Sequence, residues 1–376
     1  MIQTLPDLLL WLNQPQALQS GRCERTYSLR MLRGFADESY RGLHCYRQVD
    51  IPKKNGGFRR LCIPRSDLKA LQRRLLPLFL PAQNSLPASA FAYRCQKTLR
   101  QHAACHAGCS LLVKLDLCSF FDSVSFGAVF RAVDDALRLS PLVAAAVPAQ
   151  SGDVISVAQT GRAAQGTPCW CNRQLSWYIA QFCTRQGSLP QGAPTSPLLS
   201  NLVFAPLDLR IEAYCQAKGI TYTRYADDLI FSFYAAAPGT ADSGAASLIA
   251  FVRSLLLRSG YRLNEEKTVV AGAGRRRVVT GAVVHETLQA PASYRKKLRQ
   301  EIYYIGKYGL REHLLHTNAF AHSSGPGAEA ERVKMIRAAQ SLLGRVSFVL
   351  QLNPGDREFQ QYHKDCLHLL HAVYRL

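Results

Sequence analysis

Apolar residues recur at helical spacing at the start of the chain, at Leu5, Leu8, Leu9 and Leu12 and again at Leu29, Leu32 and Phe35, which predicts two short helices within residues 1–45. The pattern then changes. Tyr46–Pro52 and Phe58–Pro64 flank Lys53-Lys54-Asn55-Gly56-Gly57, the composition of a hairpin with a basic turn, and Ser66–Phe79 returns to helical spacing with several basic residues. Leu111–Leu117 is a short apolar run bounded by polar residues, which predicts a buried strand ending at Asp116. Phe126–Leu139 reads as helix, whereas 141–173, rich in Ala, Gly, Gln and Thr, reads as an insertion or mobile loop. Ser200–Lys218 is helical in spacing and runs into Thr221–Phe233, an aromatic strand interrupted by Asp227-Asp228. A small-residue loop, Ala235–Gly244, precedes an amphipathic helix ending at Ser259, and Val278–Val284 is a further strand candidate. From Ser293 onward the pattern is helical apart from the polar loop Asn318–Gly327, and no internal repeat is present.

Composition narrows the partner. The chain of 376 residues is 48% hydrophobic along its whole length, as a globular protein is, and carries 46 Lys and Arg against 26 Asp and Glu, a formal charge of +20. So large an excess opposes compact folding unless a polyanion supplies counter-charge, which points to nucleic acid. Leu8–Leu12 is apolar but has no basic flank or small-residue cleavage site, and no stretch reaches the length of a membrane span, so the expectation is a cytoplasmic protein with no membrane partner. The twelve cysteines are scattered, with Cys62, Cys118 and Cys183 in apolar runs as small core residues of a reducing compartment. His102, Cys105, His106 and Cys109 form one local cluster and Cys169 with Cys171 another; neither has a second pair at zinc-site spacing.

The chemistry is carried by carboxylates. Nucleotide addition deprotonates a hydroxyl and stabilises a pentavalent phosphoryl group, and two metal ions about 4 Å apart do both. Hard cations such as Mg²⁺ take oxygen ligands, so carboxylates must come to one point from different strands. Adjacent Asp227 and Asp228, in Tyr225-Ala226-Asp227-Asp228, suit this because an acidic pair between buried aromatic strands is costly unless a cation neutralises it. A solvated turn is the plain alternative, and the flanks Thr221-Tyr222-Thr223-Arg224 and Leu229-Ile230-Phe231-Ser232-Phe233, which read as a buried hairpin, weigh against it. Asp116, at a strand end well before the pair, supplies a third carboxylate.

These segments resemble the ordered motifs of bacterial reverse transcriptases, the group that holds retron, group II intron and phage-defence enzymes. The matching pieces are Ile51-Pro52-Lys53-Lys54 through Arg59 to Pro64, Leu115-Asp116-Leu117 with Phe120-Phe121, Leu189 to Pro197, Tyr225 to Asp228, Gly260 to Thr268 and Val279-Thr280-Gly281. The resemblance implies an α+β fold of the right-hand polymerase kind: N-terminal helices and fingers over 1–110, a palm with an antiparallel sheet over 111–285, and a helical, RNA-binding thumb over 286–376. It implies that Asp116, Asp227 and Asp228 are catalytic and that these with Leu117 hold two Mg²⁺ ions, for which Mn²⁺ can substitute. It implies further that Lys53 or Lys54 and Arg59 grip the incoming triphosphate. Phe121, beside Phe120, would block the sugar 2′-hydroxyl, so that DNA is the product; core packing is the rival role for either ring. Gln191-Gly192, with Pro194 and Pro197, makes a stiff glycine-hinged turn that can lie beneath the nucleotide. Lys267 matches a position proposed to protonate the leaving pyrophosphate, a solvated helix-end lysine being the alternative.

Within that group the retron enzymes are most similar, because they are short and carry a Val-Thr-Gly motif after the palm, here Val279-Thr280-Gly281. They also carry an Asn-Ala-x-x-His element, for which this chain has His102-Ala103-Ala104-Cys105-His106, with His in place of Asn. The retron resemblance implies a dedicated noncoding RNA as template and primer, a branched RNA-DNA product, and an effector protein in phage defence, with higher-order assembly open; His106, Thr280 and Gly281 would meet the RNA. Arg295, Lys296, Lys297, Arg299, Lys307 and Arg311, interleaved with Tyr294, Tyr303, Tyr304 and Tyr308, suit an RNA-gripping helix, against the alternative of a solvated face. A stand-alone defence reverse transcriptase with its own RNA is the nearest rival, and a catalytically decayed RNA-binding scaffold the rival of another class.

Overall fold

The computed structural model describes residues 2–14, 26–52, 56–143, 173–234, 240–272, 274–317 and 328–375. The leading segment forms helices Leu5–Leu12 and Leu29–Ala36, as its spacing predicts, and adds a third, Glu38–His44. Each opens on a residue whose side chain accepts from N–H groups of the first turn: Thr4, Ser28 and Asp37. Strands β1 (Tyr46–Pro52) and β2 (Phe58–Pro64) pair antiparallel from Tyr46↔Pro64 to Pro52↔Phe58 and form a sheet of their own. The basic helix runs past its predicted end at Phe79 to Asn84. Pro77 and Pro81 do not stop it, because they lie four residues apart on one face while Leu78, Phe79 and Ala82 anchor another face in the core.

A four-stranded antiparallel sheet forms the centre: β3 (Leu111–Asp116), β4 (Thr221–Tyr225), β5 (Asp228–Phe233) and β6 (Val269–Ala271), in the order β4-β5-β3-β6. Its two faces bury against different cores. From β3 and β5, Leu111, Val113, Leu115, Leu229, Phe231 and Phe233 join the larger core, which also takes in helices Phe126–Leu139, Arg173–Cys183, Ser196–Ala217 and Thr240–Arg258. Leu112 and Ile230, at the alternate positions, join the smaller core with the C-terminal helices. Burial on both sides is why these strands read as unbroken apolar runs in the sequence.

The remaining differences from expectation are local. Val278–Val284 is a hairpin, not one strand: β7 (Val278–Val279) and β8 (Ala282–Val284) pair across Thr280 and Gly281, whose φ angles of 45° and 86° reverse the chain, and β9 (Leu288–Gln289) completes a three-stranded sheet. Helix Arg173–Cys183 occupies a stretch for which no element was predicted, and helix Thr240–Arg258 starts inside the expected loop Ala235–Gly244. Residues 144–172, most of the expected insertion, and the loop 318–327 lie outside the described residues. Helices Ala292–Tyr308, Leu310–His316, Ala328–Leu352 and Arg357–Arg375 make up the C-terminal part.

One buried ion pair fixes the β4–β5 hairpin to the helix behind it. Arg224 and Asp208 both have wholly enclosed side chains and meet at 2.7 Å through Nη2 and Oδ2, with Nε donating to Oδ1 at 2.9 Å. The other guanidinium nitrogen, Nη1, donates to Asn201 Oδ1 at 3.0 Å and to the Ala226 carbonyl at 3.1 Å, and the Tyr222 hydroxyl donates to Asp208 at 2.8 Å. The guanidinium carbon also lies 4.7 Å from the centre of the Phe204 ring. Every charge here is satisfied, which is the condition for keeping an ion pair in the interior. Arg224→Met leaves Asp208 buried without its cation and is expected to cost about 3–5 kcal/mol in urea unfolding; Arg224→Met with Asp208→Leu is expected to recover much of that loss.

Candidate active site

The strand register brings the expected carboxylates to one end of the central sheet. Asp116 ends β3 opposite Asp228 at the start of β5, and the Leu117 N–H donates to the Asp227 carbonyl at 3.0 Å, which extends the ladder by one bond. Tyr225 pairs with Asp228, so Ala226 and Asp227 form the tip of the hairpin. Ala226 has a φ of 57°, a left-handed conformation in which a residue with a Cβ is strained, and the Arg224 guanidinium holds its carbonyl there. Asp116 is buried, and Asp227 and Asp228 are half-buried.

Burial raises both acids of the pair above the ordinary carboxylate range, and charge repulsion adds to it: from Asp228 and Asp116 on Asp227, and from Asp116 on Asp228. Two lysines work in the opposite sense. Lys114 Nζ, from β3, lies 2.9 Å from Asp228 Oδ2, and Lys267 Nζ bonds both oxygens of Asp116 at 3.2 and 3.0 Å. The bond to Asp116 in turn raises the Lys267 ammonium. Among the described residues no group of three or more His, Cys, Asp or Glu is already gathered closely enough to hold a metal ion. The donor chemistry nevertheless fits a hard divalent cation: oxygen ligands on adjoining strand ends, two of them raised by burial and by mutual repulsion that such an ion would relieve.

The expected nucleotide-binding residues fall into three groups. Gln191 is joined to the small sheet by its carbonyl, which accepts from the Cys62 N–H of β2 at 2.7 Å. Gly192 is needed at that approach: its φ is 115° and a Cβ there would lie 3.2 Å from the Cys62 carbonyl oxygen. Arg59 is exposed on the same strand, paired with Ile51, while Lys53 and Lys54 lie outside the described residues. The two phenylalanines separate: Phe120 is buried against Phe204 and Tyr261, and Phe121 is half-buried.

The residues expected to meet RNA are spread over the smaller core's surface. Lys296 and Lys297 are exposed, Arg299 is held by Glu358 through a two-pronged bond at 2.8 and 2.6 Å, and Arg295 donates to Gln289. Lys307 Nζ lies 5.1 Å from the Tyr308 ring centre. Gly281 is exposed and Thr280 half-buried at the β7–β8 turn. His106 is wholly enclosed, both ring nitrogens bonded to hydroxyls of Thr223 and Ser232 at 2.6 and 2.7 Å, so it makes no direct contact with RNA in this fold. Of the cysteines in its cluster, Cys105 donates to the Gln101 carbonyl and Cys109 is buried.

Sequence reasoning missed Arg224, Asp208 and Asn201, which tie the hairpin down, and it missed Tyr93. Tyr93 is 43% exposed at a strained φ of 61°, its carbonyl held by Gln83 Nε2 at 3.0 Å. Burial raises its phenol, with Asp227 and Tyr225 adding to the rise and Arg224 and Arg59 opposing it. A lone aromatic in a loop carries no periodicity, so no pattern marks it.

A raised acid binds protons more tightly in the folded than in the unfolded chain, so Asp227 and Asp228 detract from stability as pH rises from the ordinary value of 3.8 through their raised range. Asp227→Asn is therefore expected to raise the melting temperature of EDTA-treated protein at pH 7, with the gap from the parent closing toward pH 4. A gap that is constant with pH would contradict this electrostatic account.

The chain matches the family model for reverse transcriptase (RNA-dependent DNA polymerase) over residues 51–306. It is 33% identical over 315 residues to the retron Mx65 reverse transcriptase of Myxococcus xanthus, covering 83% of this chain and 62% of that protein. It is 31% identical over 276 residues to the retron Mx162 reverse transcriptase of the same organism, covering 69% and 53%. With the retron Ec86 reverse transcriptase of Escherichia coli the identity is 29% over 274 residues, covering 72% and 73%. The chain thus spans less than two thirds of the length of both Myxococcus relatives. A Candida albicans telomerase structure covers 97% of this chain and 68% of its own at 12% identity, with a TM-score of 0.45. On the family match and the sheet that carries its carboxylates, the chain belongs to the reverse transcriptase family, where it is similar to the retron enzymes.

Proposed function

We propose that the chain is an RNA-directed DNA polymerase of a retron, bound to a dedicated noncoding RNA from which it primes and which it partly copies into a branched RNA-DNA molecule (msDNA). The observation that carries the reading is the convergence of Asp116, Asp227 and Asp228 at one sheet end, together with a β2–Gln191 layer that leaves Arg59 exposed. In this reading Asp116, Leu117, Asp227 and Asp228 hold two Mg²⁺ ions, or Mn²⁺ in their place. Such ions supply the Lewis acidity that eases deprotonation of the attacking hydroxyl and stabilises charge on the phosphoryl group.

The chain's own residues do the rest. Arg59, with Lys53 or Lys54, binds the triphosphate, and its planar fork suits phosphate oxygens. The Gln191-Gly192 turn supports the nucleotide from below, and its bond to β2 keeps that floor attached to the triphosphate grip. Phe121 stands against the sugar and excludes a 2′-hydroxyl. Lys267, held protonated by Asp116, keeps a proton within reach of the leaving group.

The proposed division is fingers over 1–110, palm over 111–285 and thumb over 286–376, the thumb holding RNA through Arg295, Lys296, Lys297 and Arg299 with the exposed Tyr303, Tyr304 and Tyr308, and the Thr280-Gly281 turn of the palm meeting it as well. Among the described residues no helix is long and apolar enough to cross a membrane, which suits work on RNA in the cytoplasm. An effector protein and a role in antiphage defence complete the proposal by similarity to retron enzymes.

Asp227→Asn with Asp228→Asn is expected to abolish primer extension while leaving RNA binding within a few-fold of the parent; substantial synthesis by the purified variant would sink the assignment. Phe121→Ala is expected to relax discrimination against ribonucleotides by about 10-fold or more in kcat/KM ratio. Unchanged discrimination would assign the ring to packing alone.

A further inference from the structure

The segment His102–His106 departs from the retron element by one residue, and the interior of the fold gives that residue work. His102 lies at the end of a short helix, Leu99–Ala104, with its ring between Phe91 and Tyr225, whose centres are 4.9 and 5.5 Å away. Its Nε2 shares a hydrogen bond with Thr223 Oγ1 at 2.8 Å, and its Nδ1 shares one with Thr280 Oγ1 at 3.4 Å. Thr223 Oγ1 is also 2.6 Å from His106 Nε2, and His106 Nδ1 is 2.7 Å from Ser232 Oγ. A continuous path therefore runs Thr280, His102, Thr223, His106, Ser232. Its two ends are the strained β7–β8 turn and the β4–β5 hairpin whose tip bears Asp227.

Proton counting makes this path directional. Burial holds both imidazoles far below their usual range, at about 3 for His102 and about 4 for His106, so each is neutral and carries one N–H. Thr223 has a single hydroxyl proton and stands between two Nε2 atoms, so it donates to one and accepts from the other. The two histidines must then be opposite tautomers. If Thr280 donates to His102, every bond along the path points toward Ser232; if Thr280 accepts, every bond points back. No single member can reverse alone without leaving two donors or two bare acceptors facing each other, which is costly in the interior. Thr280 is the member nearest solvent, and its φ of 45° is strained for a β-branched residue, as at sites where conformation serves function.

We infer that these five residues form one directional hydrogen-bond chain, and that His102 and His106 are positioning residues through which RNA seated on the Thr280-Gly281 turn acts on the carboxylate hairpin. The RNA end of this inference rests on the proposed function, whereas the chain itself is open to a test that needs no activity. Nitrogen-15 NMR of the ring nitrogens in the full-length protein reads each tautomer directly. The parent is expected to show one histidine protonated on Nε2 and the other on Nδ1. Thr280→Ala, which removes the terminal hydroxyl, is expected to shift the ring nitrogens of His106, three hydrogen bonds away, and Thr280→Ser to restore them. Identical tautomers in the parent, or a His106 signal untouched by Thr280→Ala, would overturn the chain whatever the polymerase does.

The link to RNA is read separately, as DNA synthesis on the copurifying RNA against synthesis on an unrelated primer–template. Thr280→Ala and His102→Leu are each expected to lower the ratio of kcat on the copurifying RNA to kcat on the unrelated primer–template by about 10-fold, the double variant being no worse than either single. Equal losses on both templates, or fully additive losses, would reduce these histidines to structural support. A parent that extends neither template would instead defeat the proposed function, and the NMR result would still stand or fall alone.

Discussion

The site depends on one buried cation. Without Arg224 the Tyr222–Asp208 hydrogen bond and apolar contacts would be left to attach the β4–β5 hairpin to the helix Ser196–Ala217, and Ala226 would lose the guanidinium that holds its carbonyl in a left-handed turn. That turn points Asp227 to the same end of the sheet as Asp116, against which Asp228 is already in register. The guanidinium therefore joins three things: a helix through Asp208 and Asn201, a strand through its own backbone, and the strained tip through Ala226. Because this takes N–H groups on all three nitrogens of a rigid plane, lysine could not replace it.

Around that fixed point the sheet is a partition between two cores. Residues of one parity on β3 and β5 pack with the helices of the larger core, and those of the other parity with the C-terminal part, so a shift of one residue in register would exchange the two sets and separate Asp116 from Asp228. The electrostatic consequence of the same register is crowding of acids in a half-buried place. Lys114 and Lys267 reduce it, and a pair of divalent ions would reduce it further. Stability is given up at this end of the sheet to acids held close together, a usual arrangement at a reacting centre.

Periodicity made the frame legible: β1, β2, the helix Phe126–Leu139 and the paired strands around Asp227-Asp228 lie where the pattern of apolar residues puts them. It was less informative where a local rule is overridden. The helical spacing pointed to an end at Phe79, but burial of Leu78, Phe79 and Ala82 carries the helix past Pro77 and Pro81 to Asn84. Val278–Val284 looked continuous because Thr280 is an ordinary strand residue by composition, and only its positive φ reveals the turn. In the site, strand-end acids and the glycine beside Gln191 left a signal in sequence, since each needs a particular residue type. Arg224 and Tyr93 left none, and the His102 path left only a motif without its partners, because each role comes from side chains that the fold brings together, such as Asp208 and Asn201 for Arg224 and Thr223 for His102.

The enzyme account is tested most directly by sequencing the nucleic acid that copurifies with the chain. It predicts DNA complementary to part of one RNA and joined to a guanosine of that RNA through a 2′ linkage. RNA with no attached DNA, or DNA that matches no copurifying RNA, would contradict it.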